Sequence, residues 1–254
     1  MGTGHSHALY VHEHSPIHRL TPEAKIVAAL GMVVPVAITP REQVWAFALY
    51  ASLIVTVLLV ARVPIRFLGI RLLALTPFLA FALFIPLIAT GETIEIWGLA
   101  LSVEGLWGTW NILAKATLGA SVSIALTATT EVPDIIRGLG ILRVPALFTS
   151  IASFMIRYLE LVTDELGRTR VAMTARGYDP KWLSQVKPIA SSAGALFVRS
   201  YERGERVHAA MLSRGFTGVM PRLEHRVTTT NEWLQVTVLV AICVGTVTIA
   251  LIVA

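Results

Sequence analysis

The chain has 254 residues, 55% of them hydrophobic and 15% charged, with a mean hydropathy of +0.69. So apolar a composition leaves too little polar side chain to cover a soluble core, which excludes a water-soluble monomer and makes a bilayer the solvent. The net charge of +5 does not require nucleic acid, because basic residues of membrane proteins collect in cytoplasmic loops.

Residues 1–23 form a polar segment that carries His5, His7, His12, His14 and His18. It lacks the basic end and apolar stretch of a cleavable signal peptide, so insertion is expected to be directed by later segments. Imidazoles at that spacing suit Co²⁺, Ni²⁺ or Zn²⁺. The sidedness derived below puts them opposite an incoming substrate, and no metal ligand is assigned.

Residues 24–130 hold four apolar stretches, Ala24 to Thr39, Val44 to Ala61, Leu68 to Ala89 and Trp110 to Thr130. A membrane-crossing helix needs roughly 17 to 25 such residues. The first stretch is short and contains Pro35, so a tilt or kink is expected there. Residues 232–254 supply a fifth, Trp233 to Ala254, without any charge, and the one cysteine, Cys243, lies inside it as a packing residue.

Between them, residues 131–231 interleave apolar residues with most of the arginines. Met155, Leu159, Val162, Leu166 and Met173 recur at helical spacing, with Glu160, Asp164, Glu165 and Arg168 on other faces. A second amphipathic helix is predicted through Phe197 and Tyr201 to Met211, preceded by the small residues Ala190 to Ala195, which permit close helix approach. Pro145 to Val162 and Pro188 to Tyr201 are apolar enough to enter the membrane as a hairpin. The fold expected is therefore an all-α integral membrane protein with about five transmembrane helices and long amphipathic cytoplasmic coupling helices.

Arg62, Arg66 and Arg71 are read as lying between the second and third stretches, and Arg19 and Lys25 as preceding the first. The loop from Thr90 to Gly108 has Glu92, Glu95 and Glu104 and no Lys or Arg. The positive-inside rule then puts the amino terminus and the arginine-rich region in the cytoplasm and the Glu92 loop and carboxyl terminus outside. A hairpin in the middle leaves that sidedness unchanged.

The arginine-rich region contains a duplication. Arg168-Thr-Arg-Val-Ala-Met-Thr-Ala-Arg-Gly-Tyr178 aligns without gaps on Arg206-Val-His-Ala-Ala-Met-Leu-Ser-Arg-Gly-Phe216, an offset of 38 positions. Each copy has the chemistry of a helix carboxyl end, with Arg176 or Arg214 at the negative pole of the dipole, Gly177 or Gly215 able to stop the helix, and Pro180 or Pro221 following. Capping does not require the shared Ala172/Ala210 and Met173/Met211. Two similar cationic tips, each with a small residue (Ala175 or Ser213) before the arginine and an alanine one turn back, fit two similar sockets of a partner, where a guanidinium can fork onto a carboxylate. A two-fold cytoplasmic partner is implied.

These residues resemble the energy-coupling factor (ECF) transporter transmembrane subunits, the EcfT family, and within it the cobalt-type subunit CbiQ. The likeness rests on Ser15-Pro-Ile-His-Arg-Leu-Thr-Pro-Glu-Ala-Lys25, Trp110-Asn-Ile-Leu-Ala-Lys-Ala-Thr117, Phe154-Met-Ile-Arg-Tyr158, Arg199-Ser-Tyr-Glu-Arg-Gly-Glu-Arg206 and both Arg-Gly copies. This chain has Leu20-Thr-Pro-Glu23 where relatives often have Leu-Asp-Pro-Arg, and Ser213-Arg-Gly where they have Ala-Arg-Gly. The resemblance implies a non-catalytic scaffold whose coupling helices dock through Arg176 and Arg214 on two ABC-type (CbiO-like) ATPases. Its spans would hold a substrate-binding membrane subunit (CbiM-like), with a small CbiN-like accessory subunit, in a prokaryotic cell membrane. It implies no cofactor and, as substrate of the whole transporter, Co²⁺, with Ni²⁺ or a vitamin such as biotin as alternatives.

Catalytic signatures are missing: the chain has no Gly-Lys pair for a phosphate loop, no His-Glu-x-x-His and no Gly-x-Ser-x-Gly. Glu131, Asp134, Glu160, Asp164 and Glu165 sit near Arg137, Arg157 and Arg168, and structural charge pairing is the expected role. The rival reading is an intramembrane enzyme built on the Glu160/Asp164/Arg168 face.

Overall fold

The computed structural model describes residues 15–89, 93–96, 99–178, 182, 186–218 and 228–253. Ten α-helices account for most of them: α1 (Pro22–Ile38), α2 (Val44–Val60), α3 (Ile65–Leu72), α4 (Thr76–Ala82), α5 (Ile85–Ile88), α6 (Val103–Thr129), α7 (Val132–Ile141), α8 (Ala146–Ala175), α9 (Lys187–Ser213) and α10 (Thr230–Val253). One antiparallel hairpin, β1 (Thr93–Ile96) with β2 (Leu99–Ser102), occupies the arginine-free loop, in the register Thr93↔Ser102 and Ile96↔Leu99. Apart from that short hairpin the described chain is helical, and it is an all-α class, multi-pass membrane protein. Two compact units make it up, one within residues 9–138 and 226–254, the other within 139–225.

In the first unit α1 packs against α10 and α6, and α2 and α5 pack against α6. Its core is small, with Met32, Val36, Phe47, Ile54, Val122 and Cys243 buried together. Large apolar side chains such as Phe78, Phe81 and Ile88 face outward, as a surface solvated by lipid tails allows. Two buried hydroxyls at the core are tied to backbone. The Tyr50 hydroxyl donates to the Cys243 carbonyl (3.3 Å) and lies 3.2 Å from Thr39 Oγ1, which donates to the Pro35 carbonyl (2.8 Å).

Two lysines act on helix ends. Lys25, one turn into α1, donates through Nζ to the carbonyl of Thr129, the last residue of α6 (2.7 Å), and to His18 O (3.2 Å). Lys115, midway along α6, donates to the Ala37 carbonyl at the end of α1 (2.8 Å). Each ammonium thus satisfies a carbonyl that the other helix cannot bond internally, at the negative pole of that helix's dipole. Beside Lys25, the Thr228 hydroxyl donates to the buried Glu23 carboxylate and Thr21 Oγ1 lies 2.9 Å from Thr228 Oγ1, joining the start of α1 to the segment that enters α10. Lys25 is therefore a buried structural cation, although the charge pattern alone reads it as a loop residue.

Among the described residues four helical stretches are long and apolar enough to cross a bilayer: Ile65–Ile88, Val103–Thr129, Ala146–Ala175 and Thr230–Val253. The first two expected spans exist as α1 and α2, but each has 17 residues, about 25 Å of helix against roughly 30 Å of hydrocarbon. The third is divided into α3, a 3-10 turn (Leu73–Leu75), α4 and α5. Pro77 and Pro86, lacking N–H groups, remove the bonds that would have continued the helix. Arg71, read as a loop residue, lies inside α3, where its guanidinium covers the Phe67 ring and donates to Thr127 (3.4 Å).

The fourth span begins at Val103, earlier than Trp110, because Ser102 Oγ accepts from the Gly105 amide (3.4 Å) and Glu104 sits in the positive first turn. The remaining long apolar helix is α8, whose first half is the stretch Pro145 to Val162 that the sequence marks as able to enter the membrane. Within the first unit α7 returns to the start of α1, where Gly138 lies so close to Glu23 and Ile26 that a Cβ would meet Ile26 Cδ1 at 2.8 Å.

Glycines of α6 give a direct test of this packing. A Cβ on Gly105 would stand 2.6 Å from the Pro86 Cα, whereas one on Gly119 meets nothing within 4 Å. Gly105→Ala is expected to lower the stability of the detergent-extracted protein by about 1–3 kcal/mol through overpacking. Gly119→Ala should raise it by about 0.5–1 kcal/mol through helix propensity. Thermal unfolding curves that move the same way for both would contradict the contact.

Candidate functional site

The two Arg-Gly segments are the ends of α8 and α9, and their backbones match bond for bond. In the first, Arg176 follows the last helical residue at φ −89°, Gly177 takes φ +77°, the Gly177 amide donates to Thr174 O (3.0 Å) and the Tyr178 amide to Met173 O (3.1 Å). In the second, Arg214 has φ −96° and Gly215 φ +81°, with Gly215 N to Leu212 O (3.0 Å) and Phe216 N to Met211 O (3.0 Å). This paired 5→2 and 6→1 bonding is the Schellman motif, and it demands a left-handed residue at the glycine.

The motif also accounts for more of the repeat than sequence reasoning allowed. Its closing bond runs from the aromatic residue to the methionine, and those two positions carry the hydrophobic contact that accompanies such a cap. Met173 and Tyr178 line one hollow together. The shared methionines and aromatics therefore belong to the cap. Left over are Ala172, Ala175 and Arg176 in one copy and Ala210, Ser213 and Arg214 in the other, all exposed along with Gly177 and Gly215.

Neither Arg176 nor Arg214 has an ion-pair partner among the described residues. Ser213, which departs from the alanine of the first copy, turns its hydroxyl back to Ala209 O (3.0 Å). It presents a small surface with its donor already used. Each tip is thus a small-residue helix end with one exposed guanidinium that is unpaired among the described residues, able to enter a groove and fork onto a carboxylate. Pro180 and Pro221 lie outside the described residues, as do His5, His7, His12 and His14. His18 pairs through Nδ1 with Ser15 Oγ (2.7 Å), and among the described residues no three His, Cys, Asp or Glu side chains are grouped to hold a metal.

The acidic residues of the second half separate. Asp134 pairs with Arg137 one turn on, and Glu160, Asp164 and Arg168 are exposed on α8. Glu165, largely buried, is held by two arginines of α9, with Arg199 Nε at 2.9 Å from one carboxylate oxygen and Arg203 Nη1 at 3.4 Å from the other. Sequence proximity pointed to Arg157 and Arg168 as partners and missed these two. The two residues are 38 positions apart and precede the duplicated segments, and no pattern along the chain pairs them.

Residues 13–229 match the family model CbiQ, described as cobalt transport protein. The chain is 24% identical over 222 residues to the energy-coupling factor transporter transmembrane protein EcfT of Heliobacterium modesticaldum, covering 82% of this chain and 83% of that one. It is 27% identical over 235 residues to the EcfT of Bacillus selenitireducens, covering 85% of each. It also matches a putative fused cobalt transport protein CbiMQ of Methanocorpusculum labreanum at 24% identity over 224 residues, 84% of this chain and 37% of the longer protein.

The caps can be tested apart from any partner. Gly177→Ala and Gly215→Ala place a Cβ in open space, so only the left-handed backbone resists them. Each should weaken its helix end by about 1–2 kcal/mol, with Asn milder than Ala. Amide hydrogen exchange at Tyr178 or Phe216 should speed about 5- to 30-fold; unchanged exchange would contradict the positive φ.

Proposed function

We propose, from the fact that this chain belongs to the CbiQ family of energy-coupling factor transporter transmembrane subunits, that it couples two cytoplasmic ABC-type ATPases to a substrate-binding membrane subunit, with cobalt as cargo. The observation that carries the reading is the pair of matched Schellman ends, each exposing one arginine beside small residues. A cap needs the glycine but not the arginine, and two equivalent plugs fit a partner that presents two equivalent sockets.

In this mechanism Arg176 and Arg214 each enter a groove on one ATPase and bind a carboxylate there. ATP-driven closure of the ATPase pair moves the two helix ends, and α8 and α9, as stiff helices of 30 and 27 residues, pass that motion to the substrate subunit. The chain itself performs no chemistry. Its partners are CbiO-like ATPases, a CbiM-like substrate subunit and a small CbiN-like accessory subunit, and the CbiMQ fusion among the relatives supports that grouping by its name. Cobalt is favoured over nickel or a vitamin by the family description. The assembly would sit in a prokaryotic cell membrane with the amino terminus inside and the carboxyl terminus outside.

Arg176→Ala or Arg214→Ala alone should weaken ATPase copurification and lower uptake, because each leaves a partner carboxylate unpaired at a cost of about 2–5 kcal/mol. The double variant should lose the ATPases while retaining membrane insertion and the substrate subunit. Full copurification and uptake by the double variant would reduce the repeat to two helix caps. For orientation, a cysteine replacing Glu95 should react with an impermeant thiol reagent from outside and one replacing Arg203 only from inside; outside labelling of both would refute the sidedness. For cargo, the complete transporter should accumulate radioactive Co²⁺, and removal of Met1 to His14 should leave that uptake largely intact. Biotin uptake without cobalt uptake would reassign the substrate.

A further inference from the structure

Three contacts order α8 against α9 and the segment that follows it. Ser150 Oγ donates to Gly218 O (3.4 Å), Glu165 meets Arg203 and Arg199, and Ser192 Oγ lies 3.5 Å from Met173 Sδ. Going up α8 through 150, 165 and 173, the partners descend through 218, 203 and 192, so the helices pair antiparallel. The duplicated segments are 38 positions apart, and continuing that offset three residues back along each uninterrupted helix carries Glu165 onto Arg203. Glu165 and Arg203 are therefore self-equivalent: exchanging the two copies maps this contact onto itself, which places the local two-fold axis there. Arg176 lies eleven positions beyond Glu165, and Arg214 lies eleven beyond Arg203. Each tip lies about 16 Å of helix from the axis, at opposite ends of the antiparallel pair.

A residue on a two-fold axis faces its own equivalent. Two copies with the same charge there would repel, and two copies of glutamate or arginine could not pair. At this pair of equivalent helix positions, just before the duplicated segments, one helix has Glu and the other Arg, and the result is an ion pair whose carboxylate is largely shielded from water and whose second oxygen is taken by Arg199 one turn away. We infer that the Glu165–Arg203 pair is the fulcrum of the coupling unit: it fixes the register of α8 on α9 so that Arg176 and Arg214 stand as equal and opposite arms for a two-fold partner. This rests on the proposed function and adds to it the residues that hold the geometry of the arms. Glu165, Arg199 and Arg203 are positioning residues; they need not touch the ATPases.

The test uses the assembled transporter in vesicles, with ATPase copurification, ATP hydrolysis and uptake measured on one preparation. Glu165→Arg and Arg203→Glu each put like charges on the axis and should cut uptake per ATP hydrolysed at least fivefold, while Arg176 and Arg214 keep the ATPases bound. The exchanged double variant, Glu165→Arg with Arg203→Glu, should regain most of the ratio, which loss of packing alone would not do. Single variants with the normal ratio, or a double variant no better than the worse single, would overturn the fulcrum.

If the single variants fail to assemble, a Glu165→Cys/Arg203→Cys pair joined by a short bismaleimide replaces the ion pair covalently. Joining should preserve uptake, since a fulcrum need not separate. Loss of uptake on joining, with ATPases still bound, would overturn the inference. A complex that depends on Arg176 and Arg214 yet is indifferent to every change at Glu165 and Arg203 would leave the proposed function standing and remove the fulcrum alone.

Discussion

Two ammonium groups in mutual exchange hold the membrane unit together: Lys25 of α1 on the last carbonyl of α6, and Lys115 of α6 on the carbonyl end of α1. In a bilayer the open carbonyls of a helix end and the charge of a lysine are each expensive to leave unsatisfied. Placed together they cancel, and they can do so only with α1 and α6 side by side at one register. The rest of the unit follows from that pairing. Gly31 of α1 is set against Val240 of α10 so closely that a Cβ would meet it at 2.4 Å, Gly105 of α6 admits Pro86, and Gly138 of α7 comes down on the start of α1.

The second unit is assembled on a different principle. α8 and α9 bury few side chains against each other, and much of their apolar surface, including Met155, Leu159, Phe197 and Tyr201, is exposed. Local capping and one shielded ion-pair cluster supply its definition instead. The Schellman ends stop both helices at set residues, and Glu165 with its two arginines sets where they meet. Such a unit suits transmission of movement, because stiff helices with few lateral contacts can shift as levers while their ends keep their shape.

Much of this was legible from one sequence. Hydropathy located the apolar helices, since a backbone in lipid has no solution but to bond to itself, and the chain's arginine-free loop and arginine-rich half set an expected sidedness. The Arg-Gly duplication could be read because a helix cap is encoded in consecutive residues. Boundaries were less legible. The helix α6 starts at a serine cap that Glu104, Gly105 and Gly108 disguised as loop, and α3 to α5 read as one apolar stretch because hydropathy does not register the bonds that Pro77 and Pro86 cannot make.

By itself, then, the sequence determined an all-helical membrane protein with two capped cationic helix ends, because hydrophobicity and capping depend on neighbours along the chain. Tertiary structure alone decided which charges meet. Lys25 and Thr129 are 104 residues apart, and Glu165 and Arg203 are 38 apart. An ammonium can satisfy any carbonyl and a carboxylate any guanidinium, so the chemistry of the side chain does not name its partner. Only the packing of the helices brings one candidate within about 3 Å and leaves the others too far away to compete.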